Sequence, residues 1–299
     1  MKYAVTGGFG YSGSAIVQQL LEQGAETITL TNTPRKPDSP SIPAYPLRFD
    51  DSLTETLRGV DVLVNTYWVR FNHRNFTHQQ AVEHSRILFA SARRAGVQRI
   101  VHISITNPDE HSPLEYFSGK AQVEQALIAS GIPYAILRPA VLFGGNDILI
   151  NNIAWMLRTL PVFGIFGNGD YRLQPIHVDD LAALVVQYGQ SHDNHIINAI
   201  GPETFSYRDL VTALTTILGL SRPIIHVPPA AGYAIGWLMG RILGDVTITR
   251  DEIEGLMANL LCVDAAPTGT TALTTWATRN ADHLGRRYAS ELARRSFTV

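Results

Sequence analysis

Thr6-Gly7-Gly8-Phe9-Gly10-Tyr11-Ser12-Gly13 stands between a short apolar run, Tyr3-Ala4-Val5, and a helical pattern, Ala15-Ile16-Val17-Gln18-Gln19-Leu20-Leu21-Glu22, which Gly24 closes. A strand that turns through glycines into a helix makes a phosphate site. The glycines let the backbone approach a pyrophosphate, and the helix N-terminus offers N–H groups and the positive end of its dipole. Two spacings fit at once: Gly8, Gly10 and Gly13 match G-x-G-x-x-G, while Gly7, Gly10 and Gly13 match T-G-x-x-G-x-x-G. Such a motif says little alone and much in a strand-to-helix context.

Working outward, apolar β-rich runs at 2–6, 27–32, 60–66, 99–105 and 134–137 read as strands, with helical stretches at 79–95 and 115–130 between them. This alternation predicts an α/β fold whose parallel sheet is covered on both faces. Gly96 and Gly131 stand where helix C-caps belong, and Pro133 follows shortly after. Beyond Pro139 the alternation blurs into a smaller mixed lobe. The expected division is a dinucleotide-binding domain of 1–145 with 175–200, and a substrate lobe of 146–174 with 201–299.

A chain of 299 residues with 45% hydrophobic and 17% charged residues and a net charge of −2 gives no reason to expect a nucleic-acid partner. The single cysteine, Cys262, excludes an intrachain disulfide and a multi-cysteine metal site, and fits a reducing compartment. The first strand begins at residue 2 and leaves no room for a signal peptide, so a cytoplasmic location is expected. No stretch reaches the roughly 20 apolar residues that cross a bilayer. The nearest, 228–243, is interrupted by Arg241 and carries Gly232, Gly236 and Gly240, followed by Gly244, at every fourth residue. That spacing permits close packing in a soluble domain or beside a ligand; the other reading is a membrane-touching or dimer-forming helix across 228–244. Monomer and homodimer both stay open. Pro34, Pro37, Pro40, Pro43 and Pro46 recur every third residue, which fits one face of a polyproline II segment, either a stiff connection or a partner-docking stretch.

The second strand ends Leu30-Thr31-Asn32-Thr33 without the acid that would hold a ribose 2′-hydroxyl, and Pro34-Arg35-Lys36 follows. A missing carboxylate removes repulsion toward a 2′-phosphate, and the cations can bind it. NADP is therefore the favoured cofactor, with NAD the alternative, and Asn32 and Arg35 are candidate contacts. Asp50 is placed either to contact adenine or to cap a helix.

Tyr116-Phe117-Ser118-Gly119-Lys120 opens the helix that follows the fourth of these apolar runs. An i, i+4 spacing puts Tyr116 and Lys120 on one face. An ammonium beside a phenol lowers its pKa, so such a pair can exchange a proton with a hydroxyl or carbonyl while a nicotinamide exchanges hydride. The alternative is a Lys120–Glu124 pair and a packing role for Tyr116.

Taken together, the 6–13 loop, Tyr116/Lys120, Leu137-Arg138-Pro139 with Leu142-Phe143-Gly144, and Pro175-Ile176-His177-Val178-Asp179-Asp180-Leu181-Ala182 resemble the short-chain dehydrogenase/reductase superfamily. The chain looks like an extended or atypical member of the NAD-dependent epimerase/dehydratase group. Residues 166–175 look most like the branch containing the nucleotide-binding accessory subunit of respiratory complex I. The resemblance runs from residue 1 to about 228. It implies a Rossmann-type doubly wound parallel sheet with a smaller mixed C-terminal lobe. It implies that Gly7, Gly10 and Gly13, with Tyr11 and Ser12, hold the pyrophosphate. Tyr116 would be the acid/base, and Lys120 would bind the nicotinamide ribose and tune Tyr116. Pro139, Ala140 and Val141 would pass the carboxamide, and Asn65 and Thr66 would line the cleft. The His177 segment would position a helix.

One departure bears on activity. Members with full machinery carry Ser or Thr where this chain has Ile105, in Ile103-Ser104-Ile105-Thr106-Asn107. Ser104 and Thr106 share a strand face opposite Ile105 and could supply the hydroxyl. The Leu173-Gln174-Pro175 stretch argues against a nucleotide-sugar substrate. The spacing of His73, His78 and His84 builds no metal pair, so no metal is expected, and no G-x-S-x-G elbow supports a hydrolase. Two functions follow: an NAD(P)(H)-dependent oxidoreductase or epimerase acting on a small-molecule hydroxyl or carbonyl substrate, or a non-catalytic dinucleotide-binding structural or assembly protein. Tyr67, Trp68, Phe143, Trp155 and Phe163 read as an apolar pocket or as plain core.

Overall fold

The computed structural model describes residues 1–35, 37, 39–73 and 76–295. Lys36, a candidate cation for the 2′-phosphate, lies outside the described residues. The described chain forms two compact units: Met1–Pro139 with Asp179–Ala199, and Ala140–Val178 with 200–295.

The first unit runs β1 (Lys2–Thr6), α1 (Tyr11–Glu22), β2 (Glu26–Leu30), β3 (Ala44–Tyr45), α2 (Ser52–Thr56), β4 (Val62–Asn65), α3 (His78–Ala95), β5 (Arg99–Ile103), α4 (Glu115–Ala129) and β6 (Tyr134–Pro139). The strand His195–Ala199 joins β6, giving the sheet order His195–Ala199, β6, β5, β4, β1, β2, β3. Every pairing in it is parallel. The seven-stranded parallel sheet with flanking helices is the doubly wound architecture expected. β4 and β5 are buried at every residue, Asn65, Arg99 and His102 included, as expected of central strands covered on both faces. Ala4, Ile28, Leu63, Ile100 and Ile136 cluster with Leu88 and Phe89 of α3 and Leu127 of α4. Strand order reverses beside β1, which makes the end of β1 the switch point where such sheets take ligands.

Local signals set the helix ends. Thr77 and Gln80 form a reciprocal capping box at the start of α3, and Gly96 ends it at φ +80°. Gly131, at φ +72°, follows α4. The β5 ladder continues past Ile103, because the N–H groups of Ser104 and Thr106 donate to the carbonyls of Leu137 and Pro139 at 2.7 and 3.0 Å. Within the proline-spaced stretch the Ile42 N–H donates to the Pro40 carbonyl at 3.1 Å, a tight local turn.

In the second unit Val141–Phe143 pairs in parallel with Pro175–His177, both assigned to the first domain by sequence. Phe163–Phe166 pairs with Ile224–Val227, and Arg172–Leu173 runs antiparallel to Phe205–Ser206. Phe143, Ile153, Leu157, Ile165, Leu210 and Leu214 belong to its core. The glycine-spaced helix Pro229–Leu243 turns its glycines inward: a Cβ would stand 2.2 Å from the Phe166 ring at Gly232 and 2.5 Å from the Asp245 carbonyl oxygen at Gly240. Ile235, Trp237, Leu238 and Ile242 are exposed. Among the described residues no helix is long and apolar enough to cross a membrane.

Candidate functional site

The loop between β1 and α1 is shaped by two glycines. Gly7 sits at φ +66°, in the left-handed region. A Cβ on Gly13 would stand 2.1 Å from the Gly7 carbonyl oxygen and 2.8 Å from its carbon, so only glycine lets the first turn of α1 pack on the loop. Gly10 N–H donates to the Gly7 carbonyl at 2.8 Å, and Gly8 N–H donates to Thr29 Oγ1 at 2.9 Å. Gly10, the N-cap of α1, has no side chain to cap this end, and no acid occupies its first turn, formed by Tyr11, Ser12 and Gly13. A tight glycine cradle leading into an uncapped helix terminus fits a pyrophosphate.

On the β2–β3 side the candidate residues divide. Arg35 donates to the Ile42 carbonyl, and its guanidinium lies 5.4 Å over the Phe9 ring, which sets a cation against the glycine loop. Asn32 is used locally instead: its amide donates to the Leu47 carbonyl and accepts the Leu47 N–H, both at 3.0 Å. Asp50 follows β3 by several residues and stands one residue before Asp51, the N-cap of α2; its carboxylate accepts the Ser52 N–H at 2.9 Å as well as the Ser52 hydroxyl. Those two bonds, the hydroxyl first, hold its carboxyl below the usual range.

On the β4 side, Asn65 and Thr66 join β4 to the base of the loop. Thr66 N–H donates to Thr6 Oγ1 at 2.8 Å, and Thr66 Oγ1 donates to the Thr6 carbonyl at 2.5 Å. Thr6 Oγ1 donates to Asn65 Oδ1 at 3.2 Å, and Asn65 Nδ2 donates to His102 Nδ1 at 3.2 Å. Burial, then the charge of Lys120, holds His102 well below the usual imidazole range, so it is neutral. Asn65 and Thr66 therefore act as structural links whose side chains are already engaged.

Lys120, on α4, is 3% exposed and donates from Nζ to the Ile103 carbonyl at 2.7 Å. The Trp68 ring lies 4.7 Å from its ammonium. Trp68 also stacks on His78 at 5.6 Å and 6° and meets Tyr116 edge-on at 5.8 Å and 87°. It closes on α4 because position 119 is glycine: a Cβ there would stand 2.9 Å from the indole. Sequence placed Trp68 only among possible pocket aromatics; the usable signal was Gly119, since glycine inside a helix marks close approach.

The two hydroxyl candidates, Ser104 and Thr106, follow β5. Ser104 and Thr106 are both buried. Ser104 Oγ donates to Glu124 Oε1, and the same carboxylate accepts Arg138 Nε at 3.0 Å and Arg138 NH2. Glu124 thus pairs with Arg138 rather than Lys120, and the Ser104 hydroxyl faces a buried ion pair. Pro139 accepts the Thr106 N–H. Ala140 and Val141 are buried in the second unit. There His177 packs edge-on to Phe143 at 5.1 Å.

Burial brings the Lys120 ammonium down to about 7, against a smaller opposing pull from Glu124. Unfolded, it stays protonated to about 10.5. Between these values the unfolded chain holds a proton that the folded chain lacks, so this residue makes stability rise with pH from about 7 to about 10. Lys120→Met is expected to flatten that rise, read as the difference between wild-type and variant urea midpoints across the window; parallel curves would contradict it.

A profile of the NAD dependent epimerase/dehydratase family matches residues 3–200. The chain belongs to this family. NADH dehydrogenase (ubiquinone) 1 alpha subcomplex subunit 9, mitochondrial, of Arabidopsis thaliana is 25% identical over 61% of the chain, which spans 48% of that relative's length. Photosystem II assembly factor Ycf39 of Cyanidium caldarium is 24% identical over 84% of the chain and 80% of its own length. Among solved structures, the Citrobacter sp. triphenylmethane reductase complexed with NADP(H) superposes with a TM-score of 0.74 at 16% identity, covering 94% of this chain and all of that one. The Escherichia coli NADPH-dependent quinone oxidoreductase QOR2 superposes with a TM-score of 0.72 at 21% identity, covering 94% and 99%. The fold is thus that of NAD(P)-binding epimerases and reductases.

Proposed function

We propose that the chain holds NADP(H) at the 6–13 loop and that its nicotinamide side is not built for Tyr/Lys acid–base turnover. One observation carries this reading: the Lys120 ammonium is fastened to the Ile103 carbonyl beneath Trp68. A Tyr/Lys mechanism needs that charge to lower the tyrosine pKa and needs a hydroxyl for the substrate carbonyl. Here the ammonium titrates near 7, and the Ser104 hydroxyl is turned to Glu124. Arg35 against the glycine loop supports the preference for NADP. Two relatives are named as a complex subunit and an assembly factor, which supports a structural or assembly role.

A second reading is an NADPH-dependent reductase with Tyr116 as the acid. It is favoured by Tyr116 itself, which remains partly accessible on the same helix face as Lys120. One experiment separates the two. With a panel of aldehydes, ketones and quinones, NADPH absorbance is expected to stay at the buffer rate while NADPH raises Tm. Steady NADPH consumption with a defined carbonyl, lost in Tyr116→Phe, would overturn the first reading and establish the second.

A further inference from the structure

The helix Pro229–Leu243 packs on its own unit with one face and leaves the other exposed. Gly232, Gly236 and Gly240 bring the inner face close: an added Cβ would stand 2.2, 2.7 and 2.5 Å from its nearest neighbour. On the outer face Ile235, Leu238 and Ile242, with Trp237 beside them, are 52–76% exposed. The other exposed large apolar side chains among the described residues stand singly along the chain, and single ones are ordinary. Here four fall within eight residues.

Their spacing says what covers them. Ala231, Ile235, Leu238 and Ile242 follow one another by four, three and four residues. That is the d-a-d-a order of a heptad, and Ala231 is exposed with the rest. Isoleucine at a with leucine at d is the combination that favours two parallel strands, so the seam matches a copy of itself. The charges leave it clear. Arg241 is the only charged residue of this helix. It stands at g, with its guanidinium 5.2 Å over the ring of Trp237 on the same helix. In a parallel pair a g position faces an e position of the other helix, so two Arg241 side chains do not oppose each other. A net charge of −2 adds little repulsion between copies. A lipid surface asks for no such register and draws on flanking cations, of which this helix has one.

We infer that the helix Pro229–Leu243 is a self-association surface, pairing in parallel with the same helix of a second copy about a two-fold axis. Each seam residue then meets its own counterpart. The inference does not depend on the dinucleotide reading. Fifteen residues make a face about 22 Å long and about 10 Å across. That falls short of the roughly 800 Å² per partner of a standard stable interface, so the pairing is reversible and depends on concentration.

Sedimentation equilibrium of the full chain over a roughly hundredfold range of concentration tests this. The wild-type mass is expected to climb from 32.9 kDa toward twice that value. Ile242→Lys sets a cation in the seam at its most exposed position. It is expected to weaken association by about tenfold or more at unchanged Tm, because two unpaired charges then meet across the axis. Ile242→Cys, combined with Cys262→Ser so that it is the sole thiol, is expected to form a disulfide between copies on mild oxidation. A wild type that stays at 32.9 kDa would overturn the inference; if that monomer sediments with phospholipid vesicles and Ile242→Lys does not, the face belongs to a lipid surface instead. Ile242→Lys associating as wild type does would also overturn it. So would the absence of a cross-link at concentrations where the wild type is dimeric.

Discussion

Gly13→Ala is expected to lose NADPH binding by about a hundredfold or more and to destabilise the chain by about 1–3 kcal/mol, the range for forced overpacking. The added Cβ meets a backbone carbonyl at 2.1 Å, and no rotamer change moves it. Either α1 shifts away from the loop or the Gly7 peptide turns, and both remove the cradle in front of the helix terminus. Gly24→Ala is the control. Unlike Gly13 it sits at positive φ, +70°, and nothing lies within 4 Å of its Cβ, so it is expected to cost only about 1–2 kcal/mol of backbone strain and to leave binding unchanged. Calorimetry and urea unfolding of the two variants read these outcomes. NADPH affinity retained in Gly13→Ala would mean that the pyrophosphate does not sit on this loop.

Glu124→Ala is expected to destabilise the chain by about 3 kcal/mol, the lower end for breaking a buried ion pair. The carboxylate is almost fully buried, whereas the Arg138 side chain keeps 27% of its surface and can recover some hydration. Removing Glu124 also leaves the buried Ser104 hydroxyl without its acceptor. A loss below about 1 kcal/mol in urea unfolding would place this pair in the class of solvated surface bridges, and Ser104 would then not be locked by it.

What sequence made legible follows from what is local. The 6–13 loop, the alternating strands and helices, and the C-cap glycines are each set within a few residues, and each appears in the fold. The i, i+4 spacing fixed Tyr116 and Lys120 on one face of α4. It carried no information about what opposes that face, so the Ile103 carbonyl and Trp68 above Lys120 were hidden. Ser104 and Thr106 could be assigned to one strand face, but the Glu124–Arg138 pair in front of Ser104 joins a helix to the next strand. Asn32 was read against an absent acid, and its real partner is the Leu47 backbone across the sheet edge. Asp50 carried two readings, and what the structure adds is local: its carboxylate bonds Ser52, two residues on. The short strands of the second unit, such as Val141–Phe143 against Pro175–His177, are too brief for periodicity to reveal.

The most direct test of the central claim is a calorimetric titration of the chain with NADPH and, in parallel, with NADH. One NADPH per chain is predicted, with NADH roughly tenfold weaker and the gap narrowed in Arg35→Ala, as expected when a charge-assisted contact to the 2′-phosphate is lost. No heat with either nucleotide, or NADH as the tighter ligand, would contradict the account.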